Sequence, residues 1–201
     1  MGEDQKDKLL LAIKEEVIEC RGCQLYKTRN LPVIGQGDHR AKIMLIGEAP
    51  GANEDKTGVP FCGESGRVLN LLLSSIGLKR ENVYIANILK CRPPSNREPA
   101  SEEVEACVAY LLRQISIIEP KIIASLGNHS THFILKHFGV PESNLGISKL
   151  RGKKFVAQDP LTQKHYTIIP LYHPAVAVYN GRLLDSLKND FKIIEEQLKD
   201  E

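Results

Sequence analysis

Four short apolar runs, KIMLIG (42–47), NVYIANILK (82–90), KIIASLG (121–127) and HYTIIPLYHP (165–174), alternate along the chain with segments whose apolar residues recur every three or four positions. Runs of this length, rich in Ile, Val and Leu, suit strands buried on both faces. The segments between them suit helices with one apolar stripe. Leu10, Ile13, Val17 and Cys20 precede the first run, and residues 67–76, closed by Gly77, follow it. Ser101 opens a helix with Val104, Cys107, Leu111, Ile115 and Ile118 on one face. Residues 128–138 are closed by Gly139, and Leu184, Leu187, Phe191, Ile194 and Leu198 mark a C-terminal helix. A helix, then strand and helix four times over, predicts an α/β protein with an open, mainly parallel sheet and helices on both faces. Residues 141–165 break the rhythm with a candidate hairpin at 154–158 and a basic cluster at Lys149, Arg151, Lys153 and Lys154. Open parallel sheets take ligands beyond the carboxyl ends of their strands, here 48–63, 87–96 and His173.

At 201 residues the chain fits one domain, 1–201, able to bury a core without covalent staples. Lys and Arg outnumber Asp and Glu by only 27 to 25, so a nucleic-acid footprint has to be a local patch. The N-terminus, MGEDQKDKLLLAIKEEV, is charged and amphipathic, unlike a signal peptide, and no window reaches the length of a membrane span. A soluble cytoplasmic protein with no membrane partner is expected.

Five cysteines, an odd number without an export signal, argue against a disulfide framework. Cys20 and Cys23 form a CxxC at a helix end, and Cys91 and Cys107 lie sixteen positions apart across a loop and one helix. Four converging thiolates would suit zinc or an iron-sulfur cluster, and spacing does not separate the two. The competing reading makes Cys107, on its apolar stripe, a small core residue; for Cys62 a buried thiol is the expectation.

After the first strand comes GEAPGANEDKTGVPFCGESG (47–66), broken by glycines at 47, 51, 58, 63 and 66. It lacks the Lys-Ser or Lys-Thr of a phosphate cradle, and its charge is acidic. Glu48, Glu54 and Asp55 suit acceptors for a water, a metal or a ligand hydroxyl, and Asp55 equally suits a turn cap. Phe61 is a lid over the core or a platform for a flat ligand. Asn87 places an amide inside a buried strand pattern, costly unless it is paired by backbone or ligand. His173 precedes a proline, which holds it extended and fixes where the imidazole points. Lys90, Arg92 and Arg97 make a basic loop around Pro93-Pro94-Ser95-Asn96.

Together these motifs resemble the family-four uracil-DNA glycosylases, the iron-sulfur type found mainly in archaea and bacteria, over most of the chain. GEAPGANED with GVPFCGESG resembles that family's first motif, YIAN with KCRPPSNREP its middle block, and YHPA its final one. The resemblance implies a three-layer α/β/α sandwich around a four-stranded parallel sheet, with a structural [4Fe-4S] cluster held by Cys20, Cys23, Cys91 and Cys107. It further implies that Phe61 stacks on an extruded uracil, Asn87 reads its edge, His173 faces O2, Glu48 positions the attacking water, and Ala49 lines the uracil site. Glu54 and Asn96 fall near the site in that pattern. Many relatives carry leucines and an arginine after the HP, where this chain has Ala177, Val178 and Tyr179. The residue that wedges into the vacated base stack is therefore sought among Val178, Tyr179 and Arg182, with Arg92 and Arg97 as further DNA contacts. Relatives that trap DNA covalently place a histidine after the third cysteine, and RPPSNRE (92–98) has none. The implied activity is release of uracil from single- and double-stranded DNA, leaving an abasic site for base excision repair. The setting implied is a prokaryotic cytoplasm, with nucleoid association, a monomeric state, and a sliding clamp as a candidate partner.

Overall fold

The computed structural model describes residues 3–199. Its strands are β1 (Gln36–Gly37), β2 (Ile43–Gly47), β3 (Tyr84–Asn87), β4 (Ile122–Leu126), β5 (Phe155–Gln158) and β6 (His165–Leu171). Its α-helices are α1 (Glu3–Glu19), α2 (Ala52–Thr57), α3 (Glu64–Ser74), α4 (Ser101–Ile118), α5 (Asn128–His137), α6 (Ile147–Leu150), α7 (Ala175–Tyr179) and α8 (Leu184–Lys199). The strands form one sheet in the order β1-β3-β2-β4-β6-β5. The inner four, β3, β2, β4 and β6, are parallel, and both edge strands run antiparallel to their neighbours.

The expected four-stranded parallel sheet is therefore the centre of a six-stranded mixed one. β1 is two residues long, too short to leave a period in the sequence. β5 alternates half-buried and exposed residues, the pattern of an edge. It forms the hairpin expected at 154–158. Asp159 closes the turn, its Oδ1 accepting from Leu161 N at 2.7 Å and Thr162 N at 3.3 Å.

Successive side chains on a strand face opposite ways, and the two sides of the sheet bury separate clusters. Met44, Ile46, Ala86, Ile123 and Ile168 pack with α1, α4 and α5 on one side. Ile43, Leu45, Ile85, Ala124 and Ile169 pack with Leu69, Leu72 and Leu73 of α3 and Leu187, Phe191 and Ile194 of α8 on the other. Each such side chain contributes about 1.5–3 kcal/mol relative to exposure, which explains why the inner strands read as unbroken apolar runs. α3 begins at Glu64 rather than at the expected residue 67, and α2 and α7 are single short turns without a sequence period. Gly58, left-handed at φ 72°, ends α2. No helix among the described residues is long and apolar enough to cross a membrane.

Candidate active site

The parallel register sets Gly47 beside Asn87 at the carboxyl ends of β2 and β3. The pairing runs one step further on each side, since Ile88 N donates to Gly47 O and Leu89 N to Glu48 O, both at 3.0 Å. His173 lies two residues beyond β6, and Gly127, at the end of β4, packs against it: a Cβ there would come 3.2 Å from the His173 Cβ. These strand ends and the 48–66 loop surround a cavity of about 140 Å³ lined by Ala49, Gly51, Glu54, Phe61, Ser65, Asn87 and His173. A cavity of roughly 150 Å³ holds a benzene ring, so this one has room for a single pyrimidine.

Phe61 is buried, and its ring lies 5.5 Å from the His173 ring at an interplanar angle of 30°. Its backbone is left-handed at φ 50°, a conformation that costs a non-glycine residue on the order of 1–3 kcal/mol. A Cβ on Gly47 would stand 2.9 Å from two atoms of the Phe61 ring and well inside contact distance of Asn87 Oδ1. Glycine at 47 is thus what allows the ring and the amide to share the pocket floor. Glu54 Oε1 accepts from Cys62 N at 3.1 Å and Gly63 N at 3.3 Å, holding the loop just after Phe61.

His173 Nδ1 accepts a hydrogen bond from Ala175 N at 3.1 Å. Burial pulls the imidazole down to about 4, with Glu54 opposing, so the ring is neutral near pH 7. A neutral ring that accepts at Nδ1 carries its proton on Nε2. The Asn87 side chain is buried and has no protein hydrogen-bond partner among the described residues, and its Oδ1 lies beside Gly47, where a Cβ would overlap it. Its backbone is anchored by Lys90, a wholly buried lysine whose Nζ donates to Asn87 O at 2.8 Å and Gln114 Oε1 at 2.7 Å. Gln114 Nε2 in turn donates to Tyr84 OH at 3.1 Å.

Glu48 does not line this cavity. It opens onto a neighbouring groove between α4 and α5, with His129, Val104 and Phe133 on its walls. Burial raises the Glu48 carboxyl above its ordinary range, with His129 acting against the rise and Glu98 adding to it. His129 Nε2 and Glu98 Oε1 are themselves 3.2 Å apart.

Asp55 serves as a turn anchor: its Oδ1 accepts from Asn30 N at 3.0 Å and its Oδ2 from the Asn30 amide. Asn96 is exposed, away from the cavity lining, and its Oδ1 accepts from Arg92 Nε at 2.7 Å. Arg97 is committed to Glu103, with contacts of 2.6 and 2.9 Å at the start of α4. Val178 and Tyr179 are exposed on α7, Tyr179 at 90%, and Arg182 is exposed just after it. Cys62, expected to be buried, is exposed and touches Thr57 Oγ1 at 3.3 Å, because the fold of the loop around Glu54 turns it outward.

Cys20, Cys23, Cys91 and Cys107 line one cavity with Leu25 and Leu89. Lys90 N donates to Cys107 Sγ at 3.2 Å, Arg29 Nη1 to Cys91 Sγ at 3.2 Å, and Gly22 N to Cys20 Sγ at 3.4 Å. Burial pushes the Cys107 thiol up to about 11 and raises that of Cys91. Among the described residues, no three His, Cys, Asp or Glu are gathered tightly enough to hold a single metal ion. Arg29 also donates to Val17 O at 3.2 Å and Ile18 O at 2.6 Å, closing the end of α1 against this cavity.

Arg29, Lys90's link to Asn87, and Ser65 are the participants that sequence reasoning missed. A single polar residue in a polar segment carries no signal of its partner, and Lys90, read with Arg92 and Arg97 as part of a basic loop, is instead wholly buried.

The sequence matches the family model of the uracil DNA glycosylase superfamily over residues 34–199. It is 49% identical over 185 residues to a type-4 uracil-DNA glycosylase of Sulfurisphaera tokodaii, covering 92% of this chain and 82% of that protein. It is 44% identical to the Archaeoglobus fulgidus type-4 enzyme, covering 92% and 90%. Against the Thermotoga maritima type-4 enzyme the identity is 40%, covering 87% and 86%. The chain, with its ring, amide and neutral imidazole at the strand ends, belongs to the uracil DNA glycosylase superfamily, in its type-4 branch.

Proposed function

We propose that the protein extrudes uracil from DNA and hydrolyses its N-glycosidic bond, releasing free uracil and leaving an abasic site, the first step of base excision repair. The observation that carries this reading is the cavity that sets Phe61, Asn87 and a neutral His173 around space for one pyrimidine.

Extrusion costs a few kcal/mol, least at a mismatch. Stacking of the base on Phe61 recovers about 1–3 kcal/mol. The Asn87 amide accepts from N3-H and donates to O4, and His173 donates Nε2-H to O2. As the bond between N1 and C1′ breaks, its electron pair moves into the uracil ring and negative charge grows on O2. A donor aimed at developing charge is worth about 2.7–4 kcal/mol, and a neutral imidazole delivers it without first losing a proton. Water adds to the cationic C1′, and Glu48, which opens onto the adjoining groove and not the base cavity, would accept its proton from that side. A carboxylate with a raised pKa is the stronger base for that step. Ala49, small and on the cavity wall, leaves room for the sugar. Tyr179, an aromatic ring 90% exposed at the tip of α7, is best formed among the candidates to fill the vacated stack.

The four-cysteine cavity fits a [4Fe-4S] cluster. Its thiols share an apolar cavity, and donors from Gly22, Lys90 and Arg29 reach three of the four sulfurs. Cys20, Cys23, Cys91 and Cys107 would hold the cluster, whose contribution is to pin α1 and α4 to the loop that follows Asn87. The test is release of free uracil from single-stranded DNA and from U·G and U·A duplexes by iron-loaded protein, beside thymine, hypoxanthine and xanthine substrates. Release from uracil DNA is expected; none from any uracil substrate would reject the proposal.

A further inference from the structure

We propose that Arg80 is a positioning residue for base recognition: its guanidinium holds the backbone of Phe61 in the strained conformation that presents the ring to the pocket. The inference rests on the reading that Phe61 stacks on the extruded base.

Pro60 and Phe61 are buried, and their carbonyl oxygens require donors. Arg80, nineteen positions away and just before β3, supplies them: Nη2 donates to Pro60 O at 2.6 Å and Nη1 to Phe61 O at 3.1 Å, with a longer contact of 3.5 Å from Nη1 to Asn70 Oδ1. No other described residue donates to either carbonyl. Successive carbonyls alternate in extended backbone and turn to the same side only when the residue between them is helical or left-handed. Phe61, at φ 50°, is left-handed, and that bend is what brings both oxygens onto one guanidinium. The planar fork bridges them; an ammonium would serve as a point charge. Gly66 of α3 also lies against this carbonyl, where a Cβ would clash with Phe61 O. The ring, on the far side of this clamped peptide, faces the cavity and His173. Half-buried Arg80 does not itself line the cavity and meets its wall only through the Phe61 backbone, so its effect on substrate passes through Phe61.

The experiment is a double-mutant cycle on Arg80→Ala and Phe61→Ala, read by single-turnover uracil release, by inhibition with free uracil, and by rescue with methylguanidinium. Arg80→Ala is expected to lower kcat/KM by about tenfold and to weaken free-uracil inhibition similarly, within the range one stacking contact provides. In the Phe61→Ala background it should change neither. Methylguanidinium should restore Arg80→Ala and leave Phe61→Ala unaffected, a response that general loss of stability would not give. Arg80→Lys, which keeps the charge but not the fork, carries the same cycle if Arg80→Ala does not fold. Losses that multiply in the double variant, or a loss that methylguanidinium does not relieve, would overturn the inference. Wild-type turnover in Phe61→Ala would instead reject stacking on Phe61 itself.

Discussion

Replacing Gly47 with alanine adds one methyl group at the point where the structure has least room for it. The backbone at 47 is ordinary strand, fully paired to Asn87 across β3, so the substitution carries no conformational penalty of its own. The added Cβ would stand 2.9 Å from Phe61 Cε2 and Cζ and would overlap Asn87 Oδ1. The Phe61 peptide is clamped by Arg80 and Gly66, so the Asn87 amide has to give way. Overpacking of this kind costs about 1–3 kcal/mol of stability, a fall of roughly 2–12 °C in a domain of this size. Displacing the amide removes two hydrogen bonds to the base at about 0.5–1.5 kcal/mol each, and the methyl fills pocket space as well. Together these lower kcat/KM for uracil release by about 100-fold, equivalent to ~2.7 kcal/mol. Single-turnover release from a U·G duplex, with a thermal melt of the same sample, measures both effects. A Gly47→Ala protein with wild-type kcat/KM would show that Phe61 and Asn87 do not contact the reacting base.

Five further outcomes follow from the same geometry. His173→Ala should lower the single-turnover rate about 10²–10³-fold while uracil-DNA affinity changes far less; equal loss of both would deny a role confined to the transition state. Asn87→Asp accepts from the cytosine amino group and cannot donate to uracil O4, so uracil release should fall and cytosine release become detectable; unchanged selectivity would assign the edge to another group. Because burial lowers His173 to about 4, the imidazole should add no inflection near 6.5 to the profile of kcat/KM against pH, and activity should fall on the acid side as Glu48, raised by burial, and His173 are protonated. On stability, the unfolded chain takes up the His173 proton at its ordinary pKa, so the penalty is absent above about 6.5 and accumulates as pH falls toward 4. Cys91→Ser should abolish the brown absorbance, lower the iron content and lower the melting temperature; retention of all three would place the cluster elsewhere.

The inner sheet was legible because strands buried on both faces have to be apolar at every position, as in Ile43, Met44, Leu45 and Ile46. The edge strands were less so: β1 is too short to carry a pattern, and β5 registered only as a hairpin beside its partner. In the site, Phe61, Asn87, Ala49 and His173 fall at strand ends and in one loop, where the alternation of strand and helix directs attention, and they share one cavity. Glu48, although next to Gly47 in sequence, opens onto a different groove, because adjacent residues leaving a strand point to opposite sides. The tautomer of His173 and the clamp on Phe61 depend on Ala175 N and on Arg80. Such contacts leave no periodic trace, since a hydrogen bond to backbone constrains only one side chain. The Asn87 amide, expected to be paired by backbone or ligand, stands at the cavity wall beside Gly47, where a ligand edge can reach it.

The proposed reaction depends on a neutral His173 imidazole with its proton on Nε2, free to donate to the uracil carbonyl. Nitrogen-15 NMR of His173, recorded with and without saturating free uracil between pH 5 and 8, tests this directly. A neutral ring protonated at Nε2 throughout is expected, with the Nε2-H signal shifting when uracil binds. A cationic ring near neutral pH, or a neutral ring protonated at Nδ1, would contradict it.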